Sequence, residues 1–208
     1  MPIYNRIADF HEDLVATRRD IHAHPELGFE EHRTSDLVAQ QLESWGIEVH
    51  RNIATTGVVG VLKGSGNSER SIGLRADMDA LPMDEEGTPE HRSKNAGKMH
   101  ACGHDGHTTM LLGAARYLAE TKNFDGTVHF IFQPAEEGGG GGRVMVEEGL
   151  FDKFECDTVW GMHNSPNLPA GTLAIRPGPL MAAVDMAKIT INAQGCHAAQ
   201  PLSLIHIS

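Results

Sequence analysis

Long apolar runs are absent from this sequence of 208 residues. No segment approaches the roughly 20 consecutive apolar side chains that a membrane-spanning helix requires. Residues 1–20 mix charged side chains among the apolar ones, so they lack the apolar centre of a secretory signal peptide. We therefore expect a cytoplasmic protein that has no membrane partner.

Cysteine and basic residues are both scarce. The three cysteines (Cys102, Cys156 and Cys196) are too few and too scattered for a disulfide framework, which fits a reducing compartment. Lysine and arginine number 17 against 28 acidic residues, which gives a net charge of -11 with histidine neutral. Because a chain this acidic repels phosphate groups, nucleic acid is not expected as a partner.

The overall composition is that of an ordinary globular protein, but histidine is unusually frequent. Apolar residues make up 40% of the chain and charged residues 22%, values that argue against disorder. Histidine occurs 13 times. Because histidine is the commonest metal ligand and a frequent proton carrier, the positions of these residues bear on function.

The order of helix and strand patterns predicts an α/β fold with a mostly parallel sheet flanked by helices. The patterns indicate helices over about 3–21, 34–45, 108–121 and 143–148, and strands over about 47–51, 58–62, 72–76, 127–132 and 158–162. The segment 77–107 is rich in Asp, Glu, His, Gly and Pro, and is predicted to be a long functional loop.

A second domain is predicted to begin after the Pro177–Pro179 turn, where residues 183–193 alternate apolar and polar side chains like a new strand. We assign residues 1–182 to an incomplete catalytic metal-binding domain, and 183–201 to the first strand of an α+β lid or dimerisation domain. Residues 202–208 resemble a translated sequencing adapter, so a non-native tail on a truncated reading frame is expected rather than a native apolar C terminus.

Polar side chains follow three of the predicted strands. Asp77 and Asp79 come after one strand, Glu136 and Glu137 after a second, and His163 after a third. Ligands of open α/β sheets gather at the carboxyl ends of the strands. We therefore expect these side chains to contribute to one site.

The segment Met99–His107 carries the most informative pattern. It places four ligand-type side chains within eight positions, among glycines and without an aliphatic anchor. A thiolate and imidazoles at this spacing suit a divalent metal of borderline softness, and the glycines allow Cys102 and His104 to face one ion. A lone cysteine or histidine is more often a packed core residue, but the cluster favours metal binding.

Glu136 and Glu137 are adjacent carboxylates between an apolar strand and a glycine run. They would repel each other without a cation or a shared proton, so one is predicted to bind metal and the other to move a proton. The alternative is two solvated glutamates in a loop. The glycine run also suggests a dinucleotide site, which we reject because the two carboxylates would repel a pyrophosphate.

Two further histidines are candidates with plainer alternatives. His163 ends a predicted strand, where a surface histidine is the alternative to a metal ligand. His197 lies among small residues that allow close approach to a substrate, although a simple turn has the same composition.

Taken in order, these segments resemble the M20 metallopeptidase family, and within it the amidohydrolase branch that includes hippurate hydrolases and auxin-conjugate hydrolases. The matching motifs run along essentially all of residues 1–201: Arg19–Gly28, Arg75–Pro82, the segment around Cys102, Glu136–Glu137, His163–Asn164, Arg176–Pro179 and His197–Ala199. Several long motifs in the expected order are far more specific than any one of them.

The resemblance implies a role for each matching residue. The implied metal ligands are Cys102, His104, Glu137 and His163. Cys102 would bridge two divalent ions, either Zn²⁺ or Mn²⁺, with Co²⁺ and Ni²⁺ as alternatives. Glu136 would be the general base that activates water and then protonates the leaving amine. Asp79 would orient the site, and His197 would stabilise the oxyanion, in one arrangement across a dimer interface.

The resemblance also implies a reaction, which is hydrolysis of the amide bond of small N-acyl amino acids by a homodimer or tetramer. The family uses a further ligand histidine far downstream, which has no counterpart in this sequence. The alternative is therefore a catalytically inactive metal-binding fragment. A zinc nucleobase deaminase is a second rival, but its chemistry needs a Pro-Cys-x-x-Cys pair that this sequence lacks.

Overall fold

The computed structural model describes residues 3–192 and residue 199. The chain divides into two units, Met1–Ser165 and Pro166–Ser208. In the first unit the helices are α1 (Ile3–Asp9), α2 (His11–Ala23), α3 (His32–Ser44), α4 (His104–Thr121), α5 (Gly141–Glu147) and α6 (Leu150–Lys153). The strands are β1 (Glu48–Ile53), β2 (Gly57–Lys63), β3 (Ser71–Asp77), β4 (Thr127–Gln133) and β5 (Thr158–Gly161).

The five strands form one sheet in the order β1-β2-β4-β3-β5. Strand β3 is parallel to both β4 and β5, whereas β2 is antiparallel to both β1 and β4. The α/β class is therefore confirmed, and the predicted parallel pairing holds for the half of the sheet formed by β4, β3 and β5. Strands β1 and β2 are antiparallel because the short link between them has room only for a hairpin, and β2 is also antiparallel to β4, so the sheet as a whole is mixed.

Strand β4 is buried on both faces because helices cover both sides of the sheet. Phe130 and Phe132 pack with α3 and α4, in a core that includes Leu42 and Leu112. Ile131 points to the opposite face, where it joins a smaller cluster with residues of α5 and α6. This alternation follows the two-residue period of a strand, and double coverage explains why the sequence of β4 is almost continuously apolar.

Helix α4 begins at His104, four positions earlier than its predicted start at residue 108. The predicted functional loop therefore ends at Gly103, whose φ of +93° turns the chain into the helix. His, Asp and Gly are weak helix formers, so the periodic apolar pattern does not reveal this first turn. As a consequence, the end of the histidine-rich motif is held on a helix rather than in a loop.

The second unit contains no helix or strand among its described residues up to 192. The strand predicted over 183–193 is not formed in residues 183–192, which are exposed, and its last residue lies outside the described part of the chain. A single strand needs a neighbour to accept its backbone hydrogen bonds, and the described residues of this unit supply no such neighbour. The second domain stays a prediction. Within the described residues, no helix is both long and apolar enough to cross a membrane.

Candidate metal centre

The carboxyl ends of β3, β4 and β5 bring the predicted site residues together. Because these strands are parallel neighbours, the segments that follow them leave the sheet at the same edge. Asp79 follows β3, Glu136 and Glu137 follow β4, and His163 follows β5. The first turn of α4 adds His104, with Cys102 just before it.

Two overlapping groups of side chains have the spacing of a metal site. Cys102, His104 and His163 offer ligand atoms that all lie within 4.8 Å of one another, and so do His104, Glu136 and Glu137. The Sγ atom of Cys102 is 3.3 Å from Nε2 of His163. His104 belongs to both groups, and its Nε2 atom is 3.7 Å from a carboxylate oxygen of Glu137.

Hydrogen bonds fix which nitrogen of each imidazole faces this centre. In its neutral form, His104 donates from Nδ1 to Asp79 over 3.2 Å, and the lone pair of the ring then lies on Nε2. That Nε2 atom is buried and has no hydrogen-bond partner. His163 donates from Nδ1 to the carbonyl of Asn164 over 2.6 Å, so its Nε2 also carries a lone pair. Two imidazole lone pairs, one of them orphaned in a buried position, fit a metal ion.

Asp79 connects the two groups. One of its oxygens accepts from His104, and the other accepts the backbone N–H of Glu137 over 2.9 Å. Burial raises the pKa of the Asp79 carboxyl, but hydrogen bonds from His104, Glu137 and Glu136 outweigh burial and lower it overall. Asp79 is therefore ionised and lies within hydrogen-bond distance of His104, while its role in orienting the site stays a prediction.

The charge balance of the centre favours a cation. Burial, followed by the neighbouring carboxylates of Glu137, Asp77 and Glu136, raises the pKa of the Cys102 thiol to about 12. A thiolate would form here only if a positive charge offset those carboxylates. Burial lowers the pKa of His104, but the hydrogen bond to Asp79 and the nearby carboxylates raise that pKa overall. Both shifts reflect an excess of negative charge.

A third group with metal-site spacing, formed by Asp77, His104 and His107, has a different character. His107 donates from Nδ1 to Asp77 over 2.6 Å and accepts the backbone N–H of Asn164 at Nε2 over 2.9 Å. Both ring nitrogens are thus occupied. Burial works against ionisation of Asp77, but His107 and the Arg75 guanidinium hold its pKa down at about 2. Apart from His104, the imidazole of this group has both nitrogens in hydrogen bonds, so we interpret Asp77 and His107 as supports of the centre rather than as ligands.

The turn after β4 depends on a residue that sequence reasoning missed. Ala135 has a positive φ of +49°, which is unusual for a residue with a side chain. Its N–H donates to Glu31 over 2.8 Å, and the Thr56 hydroxyl donates to the other oxygen of the same carboxylate. Glu31 is fully buried. It holds the turn that presents Glu136, and no local pattern in the sequence marks it.

A second set of buried charges lies on α2, the long loop and α4. His22 contacts Asp105 through Nδ1 over 2.9 Å and Glu85 through Nε2 over 3.3 Å. Because both partners are carboxylates, this arrangement favours the imidazole that carries a proton on each nitrogen. The hydrogen bond with Asp105 is the main reason that the pKa of His22 is raised. Sequence reasoning did not single out this group.

The structure thus brings six of the predicted site residues into one cluster: Cys102, His104, Glu137, His163, Glu136 and Asp79. His197, the predicted oxyanion residue, lies outside the described residues. Asn164 and His107 are additional members of the cluster, and their part in it emerges only from the tertiary contacts.

Comparison of the sequence with known proteins identifies a family and several relatives. The sequence profile of peptidase family M20/M25/M40 matches residues 73–204, which is more than half of the chain. Hippurate hydrolase from Campylobacter jejuni is 49% identical over 201 residues, covering 97% of this chain and 52% of the relative. IAA-amino acid hydrolase ILR1-like 4 from Arabidopsis thaliana is 48% identical over 194 residues, covering 93% and 43%. The chain spans about half the length of these relatives.

A solved structure agrees with the sequence matches. The YXEP protein of Bacillus subtilis, described as a dinuclear metal-binding peptidase from the M20 family, superposes with a TM-score of 0.78 at 42% identity. The alignment covers 83% of this chain and 48% of that protein.

Proposed function

Because the chain belongs to peptidase family M20/M25/M40, we propose that it carries the metal centre of an amidohydrolase that cleaves N-acyl amino acids. The observation that carries the proposal is the buried Nε2 atom of His104, which has no hydrogen-bond partner and lies in a group with a thiol and two glutamate carboxylates. The products would be a carboxylic acid and a free amino acid.

The proposed ligands are Cys102, His104, Glu137 and His163, which would hold two divalent ions. The mixture of thiolate, imidazole and carboxylate suits Zn²⁺ and tolerates Mn²⁺. Bound metal would supply Lewis acidity that polarises the substrate carbonyl and makes water a better nucleophile.

The remaining steps belong to residues of this chain. Glu136 is exposed next to the ligand Glu137, so its carboxylate is free to take a proton from the attacking water. The same group, once protonated, would deliver that proton to the nitrogen of the leaving amine. Asp79 would hold His104 in place throughout. His197 is proposed to donate a hydrogen bond to the developing oxyanion.

The substrate class rests on the relatives. Hippurate and the IAA-amino acids of the two matched enzymes both join an acyl group to the nitrogen of an amino acid that keeps its carboxylate. We propose the same class of small molecule for this protein, acted on in the cytoplasm by a homodimer or tetramer of the whole protein.

Turnover of N-benzoylglycine tests this function. The 208-residue chain, loaded in turn with Zn²⁺, Mn²⁺ and Co²⁺, should release glycine at a measurable rate. Glu136→Gln should keep its metal and lose about 100-fold or more of the rate, because a positioned base contributes about that much. Undiminished turnover in this variant would remove Glu136 from the mechanism. Metal binding without turnover on a panel of N-acyl amino acids would favour the inactive metal-binding fragment.

A further inference from the structure

Asn164 connects the segment after β5 to the start of α4 through three different groups. Its backbone N–H donates to Nε2 of His107 over 2.9 Å. Its side-chain amide donates to the carbonyl of Gly103 over 2.9 Å. Its own carbonyl accepts from Nδ1 of His163 over 2.6 Å. One residue therefore touches both chain segments that carry the proposed ligands.

Two glycines of the histidine-rich motif make room for the Asn164 amide. A Cβ atom at Gly106 would lie 2.9 Å from Nδ2 of Asn164, and the next two nearest atoms also belong to the Asn164 side chain. A Cβ atom at Gly103 would clash with the same nitrogen, and Gly103 also has a φ of +93°. Gly106 lies in the first turn of α4, where alanine would be the better helix former. The Asn164 contact explains why glycine is present there.

We infer that Asn164 is a positioning residue that holds His163 against Cys102, an inference that rests on the proposed metal centre. His163 is exposed and lies just beyond a strand at the edge of the sheet, so the sheet itself does little to fix it. The three hydrogen bonds of Asn164 provide that restraint. His107 in turn holds Asn164, because its ring is buried, accepts the Asn164 N–H at Nε2 and donates from Nδ1 to Asp77.

Binding of Co²⁺ to the 208-residue chain tests the inference without requiring turnover. Asn164→Ala keeps the backbone groups and removes only the amide that reaches Gly103. We expect Co²⁺ to bind about 10-fold or more weakly, as for other groups that orient metal ligands. The thiolate-to-cobalt charge-transfer band should also change, because the position of His163 relative to Cys102 changes. Asn123→Ala, an exposed asparagine just past the other end of α4, is the matched control.

A double-mutant cycle tests the contact itself. In the wild-type background, Gly106→Ala should lower the Tm and weaken Co²⁺ binding, because the new methyl group displaces the Asn164 amide. In the Asn164→Ala background the same change meets no clash with that amide, and the Tm should rise by about 3 °C through helix propensity. Equal effects of Gly106→Ala in both backgrounds would overturn the inference.

The supporting role of His107 has its own control. His107→Leu removes the acceptor for the Asn164 N–H and should lower the affinity for Co²⁺. His129→Leu changes an equally buried imidazole on β4, beside Phe154, and should cost stability while leaving Co²⁺ affinity near that of wild type. Equal losses of affinity in the two variants would contradict a specific role for His107.

The outcomes separate this inference from the proposed function. Wild-type affinity for Co²⁺ in Asn164→Ala would overturn the inference and leave the metal centre standing. Failure of the wild-type chain to bind Co²⁺ would instead count against the proposed function. In that case the Tm values of the double-mutant cycle still test the inference. Non-additive effects of Gly106→Ala and Asn164→Ala on the Tm support the contact, and additive effects overturn the inference.

Discussion

At the centre of the cluster, single hydrogen bonds determine which histidine nitrogens are available to a ligand. His104 and His163 each donate from Nδ1, to Asp79 and to a backbone carbonyl, so both present Nε2. His107 uses both nitrogens and presents neither. Three imidazoles that look alike in the sequence therefore divide into two candidate ligands and one support.

Asp79→Asn tests whether that orientation matters. An amide at position 79 can turn either its oxygen or its NH₂ group towards His104, so the protonated Nδ1 is no longer enforced. We expect affinity for Zn²⁺ to fall about 10- to 100-fold, measured by competition with a chromogenic chelator. Asp157→Asn, at an exposed carboxylate near the start of β3, is the control. Affinity equal to wild type would show that Asp79 does not orient His104.

At the scale of elements, Glu31 joins three parts of the fold. It precedes α3, accepts from Thr56 just before β2, and accepts from Ala135 after β4. Such a group costs free energy to bury, and burial raises the pKa of the Glu31 carboxyl. Its two hydrogen bonds offset part of that cost and fix the turn that carries Glu136 and Glu137.

Glu31→Ala should therefore destabilise the fold, and Glu30→Ala should not. Loss of Glu31 leaves the buried N–H of Ala135 without a partner, which costs about 1–3 kcal/mol in the free energy of unfolding. Glu30 makes an exposed ion pair with Lys98, which is worth at most about 1 kcal/mol. Urea unfolding of the two variants compares adjacent glutamates directly. Equal stabilities would mean that Glu31 does not hold the turn.

Features that depend on local sequence can be predicted, whereas features that depend on distant residues cannot. The strands are predictable because their apolar side chains follow a local period, and the polar groups at their ends are adjacent in sequence. Glu31 is not predictable, since its role depends on Thr56 and Ala135, which are distant along the chain. The first turn of α4 escapes prediction because Gly103, not an apolar pattern, marks its start.

At the scale of the whole molecule, the α/β fold and the family predicted from motif order are both confirmed. Six of the seven predicted site residues lie in one cluster, while their individual roles stay predictions. In the sequence, Asn164 stands out only as part of a motif, and His107 only as one ligand-type residue among several. Their contacts become visible when β5 and α4 are placed side by side.

The buried group around His22 predicts how stability depends on pH. Its raised folded-state pKa means that its contribution is complete below the unfolded value of about 6.5, and is lost as pH rises through the folded-state pKa. Asp105, whose pKa is lowered overall by His22 although burial opposes this, stays ionised over that range. As the pH rises above about 6.5, the Tm should therefore fall more steeply in wild type than in His22→Gln.

His11→Gln provides the control for that experiment. His11 is an exposed histidine at the start of the same helix, α2, so its replacement should leave the pH dependence of the Tm as in wild type. Parallel curves for wild type and His22→Gln would contradict the assignment of a charged imidazole between two buried carboxylates.

The central claim is that this cluster is a metal centre, and the metal content of two neighbouring variants tests it most directly. Wild type, Glu137→Gln and Glu136→Gln are each loaded with Zn²⁺ and dialysed. The amount of zinc per chain is then measured by inductively coupled plasma mass spectrometry. We predict that Glu137→Gln loses metal, because it removes a ligand, and that Glu136→Gln retains the wild-type amount. Equal metal content in both variants, or none in wild type, would contradict the account.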